Sequence, residues 1–349
     1  MENKKRQSNF ELLRIVSMLM IVAYHLYIHG VYRIGLVSFD THAWFLENTW
    51  NKLFSMLFVP GGEIGVGIFF MLTGYFLSEK DSAHFSRVVI HTVFYAVLSI
   101  VLSVSIILYA GGGKQFIGNL IRYVLFPCFE GNWWFVSAYI FLLMLVPFLN
   151  RIIKGKTFFF CIFYLYSASL LIGSTHFDII KAVFFYEMGA LFRLKHQKLG
   201  KTNFLQTIFI FVVVWIFIVF FNVVLLLYPD KKIIGKLVTA ISSAFFVPAG
   251  VWFLFQSFSL ITMEYNQIIN NIAKTTFGVY LLHDSKVVRY IIWNPILKIT
   301  DWQIDQKFFP LLALMDVFFV FVICSIVDYL YQRFVEDKIF IKFGQYLKF

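Results

Sequence analysis

The chain has 349 residues, of which 60% are hydrophobic and only 14% charged, with a mean hydropathy of +0.78. A water-soluble globular chain is nearer half apolar and a quarter charged, so lipid must solvate much of this one and no soluble domain is expected. The net charge of +11 sits in short clusters between apolar runs, which reads as membrane topology and argues against a nucleic-acid partner.

A helix needs about 20 mostly apolar residues to cross a membrane. Runs near that length fall at residues 12–29, 61–79, 88–109, 133–149, 157–175, 179–194, 204–228, 237–261, 272–293 and 308–334. They predict an all-α polytopic transmembrane bundle of about ten spanning helices in a single integral-membrane domain covering residues 1–349. The sixth run is short and holds Glu187, and the ninth holds His283, Asp284, Lys286 and Arg289. If those two runs did not span, the number would fall to eight.

Lys4, Lys5 and Arg6 ahead of the first run imitate a signal peptide. However, the bulky stretch from Tyr27 to Tyr32 offers no small-residue cleavage site, so the run reads as a retained helix. With the N-terminus inside, inner segments hold 17 Lys and Arg against 10 in outer ones, which favours both termini in the cytoplasm. The three cysteines, Cys128, Cys161 and Cys324, lack C-x-x-C spacing, and no residue is expected to ligate a metal.

Ionisable side chains within a span are costly and are therefore functional candidates. Arg14 and His25 share the first helix. Eleven helical steps of about 100° bring His25 to within about 20° of the Arg14 face, about 16 Å further along the axis. Arg14 can be a snorkelling anchor or a functional cation. His25 is too deep to snorkel, and an imidazole there can accept a proton or serve as a structural hydrogen-bonding group.

In the second run, Gly61, Gly62, Gly65, Gly67 and Gly74 suit close helix packing, and Thr73 and Ser78 can satisfy backbone or line a cavity. Glu63 reads as a solvated carboxylate at the outer mouth. Trp133 and Trp134 suit either an interfacial aromatic belt or stacking on a bound ligand. His283 and Asp284 can form a second polar site or pair with Arg14, Lys286 or Arg289. Glu187, Asp316 and Asp328 read as structural partners or interface residues.

Together these segments resemble the acyltransferase family 3 of integral membrane acyltransferases. Arg14 and His25 match its R-x10-H signature. Gly67-Ile68-Phe69-Phe70-Met71-Leu72-Thr73-Gly74-Tyr75-Phe76-Leu77-Ser78 resembles its second-helix pattern G-x-F-F-x-[LI]-[ST]-G-[FY]-x-x-S. Trp133-Trp134-Phe135 leading to Pro147, and Tyr280-Leu281-Leu282-His283, are similar to its W-[FY]-x…P and Y-L-x-H segments. One departure stands out. Many members carry two arginines shortly after the second helix, where this chain has Arg87 followed by His91.

The resemblance implies transfer of an acyl group, commonly acetyl from acetyl-CoA, to a hydroxyl of a cell-surface polysaccharide or lipid-linked sugar in a bacterial plasma membrane. His25 and Arg14 become the expected catalytic residues. Thr73, Ser78, Trp133, Trp134 and His283 become substrate-binding candidates, and Arg87, Arg151 and Lys154 donor-binding ones. The clusters Arg151/Lys154/Lys156 and Lys195/Lys198/Lys201 suit CoA phosphates, or inside-positive topology alone. A transporter or flippase for a lipid-linked saccharide is the competing expectation, since buried charges also line transport pathways.

Overall fold

A computed structural model describes residues 6–32, 49–83, 85–110, 133–152, 156–172, 178–195, 202–227 and 232–343. Among them every regular element is helical. The α-helices are α1 (Ser8–His25), α2 (Thr49–Ser55), α3 (Val59–Leu77), α4 (Ser86–Ala110), α5 (Trp134–Ile152), α6 (Lys156–Ile172) and α7 (Asp178–Lys195). After these come α8 (Phe204–Leu227), α9 (Lys232–Ile241), α10 (Val247–Ser259), α11 (Gln267–His283), α12 (Lys286–Ile291), α13 (Phe309–Tyr331) and α14 (Asp337–Phe343).

Among the described residues, nine of the ten apolar runs are helical throughout apart from their ends, and the ninth is interrupted. Six helical stretches among the described residues are long and apolar enough to cross a membrane by length and composition. They begin at Ser8, Trp50, Trp134, Phe204, Gly235 and Phe309. The α7 helix falls outside that set because it carries Asp178, Lys181, Glu187, Arg193 and Lys195, and α11 because it is short and polar. Leu205 and Phe209 on α8, and Leu311, Phe318 and Phe319 on α13, are exposed. Lipid is the medium that accepts such faces.

The centre of the bundle is α3, which packs on α1 and α7. A Cβ on Gly65 would lie 2.7 Å from Ile21 Cγ1 and 2.8 Å from Ser17 O, so this residue lets α1 approach. The α3–α7 crossing is tighter and reciprocal. A Cβ on Gly74 would collide with the Tyr186 carbonyl, and one on Gly189 with that of Met71. Dispersion contacts and close backbone approach hold helices together in lipid, where burial from water offers little between them. Here the packing expected of the second-run glycines is their geometry, at Gly74 above all.

The ninth run departs from expectation. It does not form one helix over 272–293: α11 ends at His283, Asp284 adopts φ −95°, ψ 0°, and Ser285 is extended before α12 begins. Arg289 Nη1 donates to Asp284 Oδ1 at 3.0 Å, and Ser285 Oγ lies 3.1 Å from Ser99 Oγ of α4. Side chains thus satisfy the polar groups around the interruption, as an irregular segment inside an apolar bundle requires. The break sets His283 and Asp284, both buried, beside the end of α1.

Candidate active site

Beyond His25, α1 widens into a π-helical turn, Leu26–Val31, so the last α-helical residue sits where the backbone changes pitch. Such wide turns are frequent at functional sites. His25 Nδ1 lies 2.8 Å from His283 Nε2, and His283 Nδ1 lies 2.6 Å from the Val279 carbonyl oxygen. A carbonyl only accepts, so His283 Nδ1 carries the proton. With both rings neutral, His283 Nε2 is then an acceptor and His25 Nδ1 donates to it. The His25 lone pair is left on Nε2, the form a general base requires.

The charges close to this pair are the Asp284 carboxylate and the Arg289 guanidinium bonded to it. Asp284 Oδ1 lies 3.7 Å from His25 Nδ1 and 4.0 Å from His29 Nε2. Of the partners open to Asp284 in the sequence, the structure shows Arg289. Arg14 instead donates to Glu11 Oε2 at 3.1 Å, and Arg6 lies 3.5 Å from Glu11 Oε1.

The Arg14–His25 stripe therefore has two ends in two environments. Arg14 opens into a cavity of about 420 Å³ at the end of the bundle where α1 begins. Arg6, Arg87, Lys274 and Arg333 also line it, with Glu336 and Asp337 as the acidic members. Its deep wall is Phe69, Thr73, Phe135, Tyr139 and Phe277. The Phe135 ring lies 5.3 Å from that of Tyr280, and Tyr280 lies 6.3 Å from His283. Two aromatic layers thus separate the basic cavity from the histidine pair.

The remaining sequence candidates divide clearly. Thr73 lines the cavity, with its hydroxyl donating to Phe69 O at 2.8 Å, while Ser78 is not among the lining residues. Trp133 is fully buried, and its indole N–H has no partner among the described residues. The Lys181 ammonium covers the Trp134 ring at 5.1 Å and contacts Glu63 Oε2 at 2.8 Å, so neither Trp134 nor Glu63 is simply solvated. Arg87 lines the cavity and meets Glu336 Oε1 at 3.3 Å. Arg151 is exposed and lies apart from the cavity lining. Lys154, Lys198 and Lys201 lie outside the described residues.

Sequence reasoning missed His29, Lys274 and Arg333. The first stands four residues after His25, a spacing that alone places it on the same helical face. The other two were indistinguishable from ordinary basic flanks.

Asp328 likewise has a definite role. It is fully buried and receives the Tyr95 hydroxyl at 2.9 Å and Gln332 Nε2 at 2.6 Å, with His91 Nε2 at 2.7 Å. This cluster ties α4 to α13 and backs the cavity wall at His91, one helical turn after Arg87.

Residues 7–329 match the family model described as an acyltransferase domain, and the chain belongs to acyltransferase family 3. No curated protein and no solved structure matches it.

Proposed function

We propose that this member of acyltransferase family 3 moves an acetyl group from acetyl-CoA to a hydroxyl of a cell-surface polysaccharide or lipid-linked sugar. The observation that carries this reading is the His25–His283 pair. Its hydrogen bonding leaves a lone pair on His25 Nε2, two aromatic layers beyond a basic cavity. Arg14, Arg87, Lys274 and Arg333 bind the donor's phosphates, and the pantetheine arm enters past Thr73 and reaches His25 by displacing the Phe135 and Tyr280 rings. The two ends of the Arg14–His25 stripe, about 16 Å apart along α1, suit a cofactor with its charge at one end and its thioester at the other.

In the reaction, His25 Nε2 takes the proton of the acceptor hydroxyl as its oxygen attacks the thioester carbonyl. The C–S bond breaks, and the thiolate leaves and recovers the proton from the imidazolium. His283 orients His25 by accepting its Nδ1–H, and Asp284 stabilises the transient positive ring. The logic is that of a base held by a second group. A proton-transfer residue of this kind contributes about 10²–10⁴-fold.

Our reading of the membrane frame is ten crossings of one domain in a bacterial plasma membrane, both termini cytoplasmic. Arg6 and Arg333 lining the same cavity support both ends lying on one side. The donor cavity then opens to cytoplasmic CoA, and His25 lies toward the outer half, where the acceptor waits.

The test is free-CoA release from acetyl-CoA by the purified protein in reconstituted membranes, with and without a polysaccharide acceptor. Acceptor-dependent release is expected. Saccharide transport without thioester consumption would overturn the reading in favour of a flippase.

A further inference from the structure

One ring beside the histidine pair has no part in the chemistry described above. His29 is half-buried in the π-helical turn after α1, four residues beyond His25, with ring centroids 5.4 Å apart. One ligand atom from each of His25, His29 and Asp284 can be chosen so that all three lie within 4.8 Å of one another. Two imidazoles and one carboxylate are a donor set for a first-row transition-metal dication.

We propose that His25, His29 and Asp284 form a reversible site for a zinc-type dication, and that its occupancy switches the transferase off. The switch rests on His25 being the base; the binding site does not.

The distances favour closure around an ion. Metal–nitrogen and metal–oxygen bonds near 2.1 Å set tetrahedral ligand atoms about 3.4 Å apart. His25 Nδ1 to Asp284 Oδ1 is 3.7 Å, and His29 Nε2 to the same oxygen is 4.0 Å. The two gaps to the carboxylate therefore close by about 0.3–0.6 Å, and the His25 and His29 nitrogens, which start within 4.8 Å of each other, close by side-chain torsion. His283 Nε2, 2.8 Å from His25 Nδ1, is a further nitrogen donor at hand. The His25–His29 spacing puts two imidazoles on one helical face, and the break after α11 brings the carboxylate from a second element. Arg289, 3.0 Å from Asp284 Oδ1, opposes a second cation, which suits a site that fills and empties.

Inhibition follows from the electron count of one ring. A neutral imidazole has a single N–H and a single in-plane lone pair. If Nδ1, the nitrogen facing Asp284, binds the metal, the ring proton moves to Nε2, which then donates and no longer accepts. If Nε2 binds the metal, its lone pair is consumed directly. Either way His25 cannot take the acceptor's proton while the ion is bound.

The experiment uses the purified full chain in proteoliposomes, stripped with a chelator and titrated with zinc chloride. Bound zinc per chain is measured by equilibrium dialysis, and CoA release is followed in parallel. One zinc per chain is expected, with turnover falling in step with occupancy and returning on chelation. His29→Gln should keep zinc-free turnover and weaken zinc binding by at least about tenfold, the scale on which metal-site substitutions act. The same variant should need correspondingly more zinc for inhibition.

Absence of saturable zinc, or equal affinity in the variant, overturns the site and leaves the acyltransferase reading standing. Saturable, His29-dependent zinc with turnover unaffected overturns the switch and the role of His25 as base. Should His29→Gln fold poorly, the cobalt-loaded wild type decides: its X-ray absorption must show imidazole ligands, and a shell of oxygen alone overturns the proposal.

Discussion

His25 and His283 stand 258 residues apart in sequence, yet Nδ1 of one lies 2.8 Å from Nε2 of the other. The Val279 carbonyl, by fixing the proton of His283, also fixes which nitrogen of His25 is free. His25→Ala should therefore lower acyl transfer by about 10²–10⁴-fold while acetyl-CoA still binds. His283→Ala should lower kcat with little change in KM, because it removes orientation and not contact with the donor. The double variant should be little worse than His25→Ala alone, since residues acting as one unit are not additive. CoA release that survives His25→Ala unchanged would remove His25 as the base.

The α3–α7 crossing makes a separate prediction about folding. Gly74→Leu or Gly189→Leu would drive a side chain into the backbone of the facing helix, at Tyr186 and Met71 respectively. Neither backbone can yield without separating the helices. Both variants should lose most folded yield in detergent, read by size-exclusion profile and thermal aggregation. A normal yield for either would mean that the helices do not cross so closely.

Much of this architecture was legible in the sequence, because apolarity over about 20 residues is a local property. The helices around Arg14, Gly74 and Trp134 are local in that sense, as is the shared face of Arg14 and His25. The break at Asp284 was not legible. The polar residues from His283 to Arg289 marked the run as unusual but equally suit a spanning helix with buried charges, and the contact with Ser99 that accommodates the break is tertiary. Nor could composition tell which of 30 Lys and Arg converge. Lys274 and Arg333 reach the cavity, whereas Arg151 does not.

The Asp328 cluster predicts a loss of stability. This carboxylate is fully buried with Tyr95, Gln332 and His91 around it. Asp328→Ala strands those groups in an apolar bundle. Breaking a buried charged arrangement typically costs about 3–5 kcal/mol. The variant should unfold at markedly lower temperature by a thiol-reactive melting assay that reports the buried Cys324. Gly278→Ala should do the same, because its new Cβ would collide with the Asp328 carboxylate. An unchanged melting profile for both would show that the cluster is not a brace.

Sidedness can be read directly. Reporter fusions at Asp40, Lys154 and Lys198 are expected outside, inside and inside. Lys154 and Lys198 on opposite faces would refute the ten-crossing frame, because both lie between helices that must then return to the same side.

The last prediction concerns the basic cavity. If Arg14, Lys274 and Arg333 hold the phosphates of the donor, each change to alanine should raise KM for acetyl-CoA and leave turnover at saturation largely intact. A hydrogen bond to a charged group contributes about 1.5–3 kcal/mol, so each loss should cost roughly 10- to 150-fold in donor affinity. Arg151→Ala, remote from the cavity lining, should change KM little. Arg14→Lys should recover only part of the loss, since an ammonium cannot reproduce the planar fork of a guanidinium. Raising salt should weaken donor binding in the wild type and less so in Lys274→Ala, because an exposed charge is screened while an absent one has nothing to screen. A silent Arg14→Lys would instead mark Arg14 as an interfacial anchor, and the donor would then have to enter elsewhere.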